Sequence, residues 1–475
     1  TGVASNYSLT SGTMNVTQKQ VNLSGTKVYD NSATLNNSII SVASGLVGSE
    51  TLSLSGDVVA NSSNVGTYLA SANQLNSGST NIALTNGSNG GLSNNYTINE
   101  GTYTITQRPI TISGTKVYDG AQTVSAGNIT TFNNTAGGQT LAVSGNTSFL
   151  ESQSVGSGKT INLSGLTLGN GTGVASNYSL SSGTFNVTAR PVTLTTSRLF
   201  DNTKNVDATN LSVTFNSLVG SETLSLSGSG SVSSENVASG QQSVTLGTLS
   251  LTDNTGVASN YLLYAASLDI NAKPISLSGS KVYDASATAA SSALTISGTV
   301  GGQTLTLTGN GTLSAGADVG TNKTINTSGL TLGNGSGGTA GVATNYSLVG
   351  GAYQMTVTQR PVTISGSRFY DSTTTVNSSD ISVFTNRAGG QTLSITGSGT
   401  VATAIAGSSK TVTLGTLTLA DGTGSASNYS LSSGTFDVNS RQVNISGSRV
   451  YDGTTTVSGS DLVITTGVGS EILTV

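Results

Sequence analysis

The stretch Phe185-Asn186-Val187-Thr188-Ala189-Arg190-Pro191-Val192-Thr193-Leu194 alternates apolar and small polar residues on both sides of an Arg-Pro step. Period-2 alternation is the mark of a strand buried on one face. Proline fixes its own φ, biases the residue before it toward extended backbone, and is tolerated where a strand begins. The stretch therefore reads as the last strand of one unit running, without a linker, into the first strand of the next. Such a junction holds neighbouring units at a restricted angle. All four prolines of the chain, Pro109, Pro191, Pro274 and Pro361, follow a junction cation in this way, and Gln20 and Gln442 replace proline at two further junctions.

Working outward, the same landmarks recur. A Lys/Arg-x-Tyr/Phe-Asp motif places Lys27, Tyr29 and Asp30, then Lys116, Tyr118 and Asp119, then Arg198, Phe200 and Asp201. It returns at Lys281, Tyr283 and Asp284, at Arg368, Tyr370 and Asp371, and at Arg449, Tyr451 and Asp452. An Asn-Tyr pair recurs with its tyrosine at Tyr7, Tyr96, Tyr178, Tyr261, Tyr346 and Tyr429, at a constant distance ahead of the motif except beside Gly350-Gly351. A third mark, Gly-Ser-Glu or Gly-Gly-Gln, ends at Glu50, Gln139, Glu222, Gln303, Gln391 and Glu471. The period is about 84 residues, the size of a small domain and too long for one coil of a solenoid.

Segments such as Thr304-Leu305-Thr306-Leu307-Thr308 alternate strictly, and no helical spacing competes with them. Each period reads as five to seven short strands. The expected fold is all-β, a linear tandem array of antiparallel β-sandwich-like domains of about 84 residues. The cuts fall at 20–108, 109–190, 191–273, 274–360 and 361–441, with 1–19 the end of a preceding repeat and 442–475 the start of a following one. Residues Gly469 to Val475 stop within a strand that continues in every other copy, which suggests a window from a longer array.

Composition narrows the chemistry. The 475 residues hold 62 glycines, 17 basic and 21 acidic side chains, and no cysteine, histidine or tryptophan. Charged residues make up 8%, against roughly 25% in ordinary soluble domains. Without Cys or His, thiol nucleophiles, disulfides and Ser-His-Asp triads are excluded. A net charge of −4 offers no footprint for nucleic acid. No apolar run is long enough to span a bilayer as a helix. Gly158-Lys159-Thr160 lacks the upstream glycine and the strand-to-helix setting of a phosphate loop. No catalytic, cofactor-binding or metal-binding residue is expected, and the chain does not read as an enzyme.

The recurrent residues have architectural readings instead. On an extended strand Lys27 and Tyr29 share one face and Val28 and Asp30 the other. The aspartate precedes Asn31, Gly120, Asn202, Ala285, Ser372 or Gly453, so it fits an Asx-type turn. The competing role, a calcium ligand or acid catalyst, lacks a second carboxylate at a fixed offset. The Asn-Tyr tyrosine fits a buried ring whose hydroxyl bonds to backbone, as in a tyrosine corner, or alternatively a sugar-stacking platform.

Ser113-Gly114-Thr115-Lys116-Val117-Tyr118-Asp119-Gly120, followed by Gly-Gly-Gln-Thr-Leu, Gly-Lys-Thr-Ile-Asn-Leu-Ser-Gly-Leu-Thr-Leu, Asn-Tyr-Ser-Leu and Arg-Pro-Val, resembles the YDG-type repeat domain. Such repeats occur in long bacterial surface proteins and filamentous-haemagglutinin-like adhesins. The resemblance departs at Phe200, where the motif tyrosine is lost. It implies an extracellular or cell-surface protein, a structural stalk or fibre serving adhesion and biofilm assembly, with self-association into fibres or bundles. A multivalent array binding cell-surface or matrix polysaccharide is the alternative.

Overall fold

The structure is a computed structural model that describes residues 1–69 and 81–475. The repeat from Arg108 to Thr188 serves as reference. Its strands are β1 (Arg108–Val117), β2 (Thr123–Ser125), β3 (Ile129–Asn133), β4 (Leu141–Ser148), β5 (Gly156–Thr160), β6 (Leu166–Asn170) and β7 (Tyr178–Thr188). Single 3-10 turns at Ala126–Asn128, Ala136–Gly138 and Ala175–Asn177 link them.

Two sheets form, one in the order β3-β1-β7-β5 and one in the order β2-β4-β6. Alternation dictates what lies between them. Ile110, Ile112, Val124, Phe149, Ile161, Phe185 and Val187 are buried, while Pro109, Thr115, Thr184, Asn186 and Thr188 face out. Phe149 and Phe185 meet edge to face at 6.4 Å. Each such ring contributes about 1.5–3 kcal/mol by leaving water.

The chain is all-β and tandem, as its periodicity predicts. One pairing differs from a purely antiparallel sandwich: β1 and β7 run parallel, from Arg108 opposite Tyr178 to Val117 opposite Thr188, and the other four pairs are antiparallel. Periodicity reports which face a residue occupies and is blind to the direction of the neighbouring strand. The two sheets also curl toward each other. They touch at a Phe149–Ile161 bridge, which widens to two paired residues at Leu313–Ile325 and Val401–Val412 in later units.

The parallel pair sets the traffic of the chain. It enters beside Tyr178 and leaves beside Val117, a strand length of about 33 Å away, so the next unit starts at the far end. Pro109, Pro191, Pro274 and Pro361 each sit second in this pairing, opposite Ser179, Leu262, Ser347 and Ser430. In the unit carrying Gly350-Gly351 the β7 equivalent is split into Tyr346–Ser347 and Tyr353–Thr358. Both halves still pair parallel with the first strand. Gly351 is required there, because a Cβ would collide with the Ile275 carbonyl oxygen.

Candidate functional site: the joint between units

Each motif cation starts a clamp inside its own unit. The Lys27 Nζ donates to Asp30 Oδ1 at 2.8 Å, to the Ser32 carbonyl at 2.6 Å and to the Thr34 carbonyl at 2.7 Å. Lys116 and Lys281 repeat the pattern on Asp119 and Asp284. Alternation alone puts Lys27 and Asp30 on opposite faces. The structure joins them, because the strand ends at Val28 and the chain turns back beyond Tyr29. The aspartate accepts the backbone N–H two residues on, as Asp30 does from Ser32 at 2.9 Å and Asp201 from Thr203 at 3.1 Å. The residue between has positive φ, from Asn202 at 62° to Gly453 at 80°, a region where Gly and Asn are favoured.

Asp30, Asp119 and Asp284 feel burial, which pushes a carboxyl up, but the bonds from the lysine and the backbone outweigh it and hold each below its ordinary value. Asp371 is also held low against burial, with the Thr373 N–H and hydroxyl ahead of the Arg368 charge among the lowering influences. Arg198 and Arg368 fit the clamp less well. Among the described residues, Arg198 Nε and both Nε and one terminal nitrogen of Arg368 are buried without a hydrogen-bond partner. Arg449 reaches Asp452 at 3.1 Å, and Tyr451 beside it is 90% exposed.

The motif aromatic leaves its own unit. Tyr29 packs edge to face on Tyr178 of the following unit, with ring centres 5.3 Å apart. Tyr118 meets Tyr261, Phe200 meets Tyr346 and Tyr283 meets Tyr429 at 5.3–5.4 Å. These rings are buried, so the two aromatic series that look like separate corners form one contact between neighbours.

The third mark ties the contact together. The Tyr178 hydroxyl accepts the Ala136 N–H at 3.1 Å and donates to Gln139. Gln139 Nε2 donates to Tyr29 OH and Asn31 Oδ1 of the preceding unit, both at 3.1 Å. At the next joint Glu222 accepts from Tyr118 at 2.8 Å and from Tyr261 at 2.5 Å. Burial and the Glu222 carboxylate push the Tyr261 phenol up to about 12, and Tyr118 shifts the same way, so both rings remain donors at neutral pH.

A second bracket lies beside the rings. Asn177 Oδ1 accepts the Val65 N–H at 2.8 Å, and its Nδ2 donates to Asn64 Oδ1 at 2.8 Å. Asn345 repeats this on Asn236-Val237 and Asn428 on Asp318-Val319, and Asn260 accepts from Val155. All four asparagines are buried, and a buried amide is tolerated when its donors and acceptors are met. The junction cation closes the third side. Arg108 donates to both oxygens of Asn134 and to the Tyr29 carbonyl at 3.2 Å, and Arg360 does the same on Asn386 and Tyr283.

At Tyr370 and Glu471 the hydroxyl bond is present at 2.6 Å. A cleft of about 340 Å³ beside it is lined by Tyr370, Ile405, Val468 and Glu471. Among the described residues no group of three or more Asp or Glu side chains gathers as a metal site. No helix among them is long and apolar enough to cross a membrane.

This four-times-repeated constellation around the Tyr-Asp motif coincides with a family match: the YDG domain fits the chain in tandem over residues 102–185, 186–268, 269–357 and 353–436. The chain belongs to the YDG domain family. Each YDG match opens within or just after the last strand of one unit, so its ends fall close to the joint. No curated protein matches the chain. In YDG terms, the Tyr faces the neighbour and the Asp faces the Lys of its own clamp. The Asn64-Val65, Ser154-Val155, Asn236-Val237 and Asp318-Val319 marks that receive the asparagine bracket are not among the motifs that periodicity brings out. Their one signal is a short polar-Val pair preceding Gly or Ala, a pattern that also occurs at Ser41-Val42-Ala43 and Thr299-Val300-Gly301 and so does not single them out.

Proposed function

We propose that the chain is a non-enzymatic structural stalk or fibre segment of an exported bacterial surface adhesin or extracellular filament, acting in cell-cell or cell-surface adhesion and biofilm matrix assembly. The observation that carries this reading is the joint: the same ring pair and asparagine bracket recur at four successive boundaries, with no flexible linker between units. Repeated stiff joints turn a row of small domains into a semi-rigid spacer. Scarcity of surface charge removes the usual guard against edge-to-edge pairing of strands, which favours side-by-side association of such rods.

Electron microscopy of the purified chain at micromolar concentration in physiological salt tests this. Stiff rods that gather into bundles are expected; bent, bead-like particles would overturn the spacer, and strictly single rods the bundling. The polysaccharide-binding alternative draws less support, since the tyrosines of the four ring pairs are buried inside joints. A glycan array separates the two, with saturable binding that grows with the number of units favouring the lectin.

A further inference from the structure

The joints share a frame but differ in the hydrogen bonds that cross it. At Tyr118 the preceding unit donates, its hydroxyl giving to Glu222 Oε1 at 2.8 Å; Tyr370 does the same to Glu471. At Tyr29 and Tyr283 the glutamine of the following unit can meet the hydroxyl either way: Gln139 Nε2 and Gln391 Nε2 donate to it at 3.1 and 3.0 Å, and the hydroxyl reaches Gln139 Oε1 and Gln391 Oε1 at 3.2 and 3.3 Å. At Phe200 there is no hydroxyl, and Gln303 Nε2 reaches past the ring to Asn202 Oδ1 at 3.2 Å. The residue after the motif aspartate follows suit. It is Asn at two of the Gln joints and Gly120 or Ser372 at the Glu joints. The ring geometry is the same throughout, 5.4 Å at both Phe200 and Tyr118, so the difference lies in hydrogen bonding and not in packing.

We propose that these positions form a pairing code between neighbouring units: a mark glutamate is accepted only after a unit whose motif residue donates a phenol, whereas a unit with Phe200 must be followed by a glutamine that finds the carboxamide of Asn202. A carboxylate has only acceptors. Facing Phe200 it would stand partly buried with a donor missing, a loss that an amide avoids by carrying its own N–H groups. Glutamine is therefore admitted after any tyrosine, and glutamate is not admitted after phenylalanine. The code makes unit order a property of the sequence and sets which neighbours can be exchanged.

Hydrogen exchange on the whole chain tests it, read at the amides of Val300 and Val237, which donate to Tyr346 and Asn345 across or beside the joint. The double change Asn202→Gly with Gln303→Glu leaves the carboxylate facing neither a phenol nor a carboxamide of the preceding unit, and protection there should fall about tenfold or more. Adding Phe200→Tyr recreates the Tyr118–Gly120–Glu222 arrangement and should restore protection to within about threefold. Glu222→Gln should leave the amides of Val219 and Val155, which donate to Tyr261 OH and Asn260 Oδ1, within the same margin. Should the double variant fail to fold, recovery of folding on adding Phe200→Tyr supports the code. Failure of the triple variant to improve on the double, or damage by Glu222→Gln equal to that of the double, would overturn it.

Discussion

The clamps at Lys281 and Arg368 sit in adjacent units of the same fold and solve one problem with different success. Lys281 spends three N–H groups on three acceptors: Asp284 at 2.8 Å, the Ser286 carbonyl at 2.6 Å and the Thr288 carbonyl at 2.8 Å. Arg368 brings five N–H groups on a planar fork into the same space. It meets Asp371 at 3.2 Å and the Thr373 carbonyl, and its Nε and one terminal nitrogen are left buried and unpartnered among the described residues. A motif position that alternates between Lys and Arg along the chain is thus tuned for the compact ammonium. The arginine recovers part of the difference by lying over Phe436 at 5.6 Å, much as Lys116 lies over Phe149; such contacts contribute about 0.5–1 kcal/mol.

Breaking the better clamp should have the largest effect. Lys281→Met leaves Asp284 and two carbonyls without their donor and should cost the unit about 2–3 kcal/mol, read as lost hydrogen-exchange protection along Ser276–Val282. Converting the poorer clamp should work in the other direction. Arg368→Lys replaces unpartnered N–H groups with a matched ammonium and should gain about 1 kcal/mol, with slower exchange along Arg360–Phe369; no gain would mean that water already serves the guanidinium.

The smallest difference should appear in titration. Both carboxyls are held low in the folded chain, so the stability each supplies is full above its ordinary value of 3.8 and is lost as pH falls through the lower folded value. The leading lowering influence is Lys281 for Asp284, but the Thr373 N–H for Asp371. Removing the cation should therefore raise the Asp284 titration further in Lys281→Met than it raises Asp371 in Arg368→Met. Carboxyl NMR titrations compare the two, and equal shifts would remove the distinction between the clamps.

Much of a unit is legible in the order of its amino acids. Residues such as Ile110 and Ile112 declare their inward face by alternation, Pro109 and Pro191 mark where the chain steps into a new unit, and the Asx turn at Asp30 follows from a short carboxylate ahead of Asn31. The joint is not legible in that order. Tyr29 and Tyr178 are 149 positions apart, and nothing in a repeat tells whether two equally periodic tyrosines meet within one unit or across a boundary. The ion pair from Lys27 to Asp30 is hidden for a local reason: strand alternation holds only while the strand continues, and it stops at Val28.

The sequence by itself determined the all-β class, the period and the inward and outward faces, because these depend on interactions between residues near in the chain. Only the tertiary structure decided that β1 and β7 run parallel, that the Tyr of one unit is completed by the Asn-Tyr and Glu or Gln of the next, and that a lysine fits the clamp better than an arginine. Those depend on direction, distance and donor count in space, which a periodic pattern of side-chain types does not record.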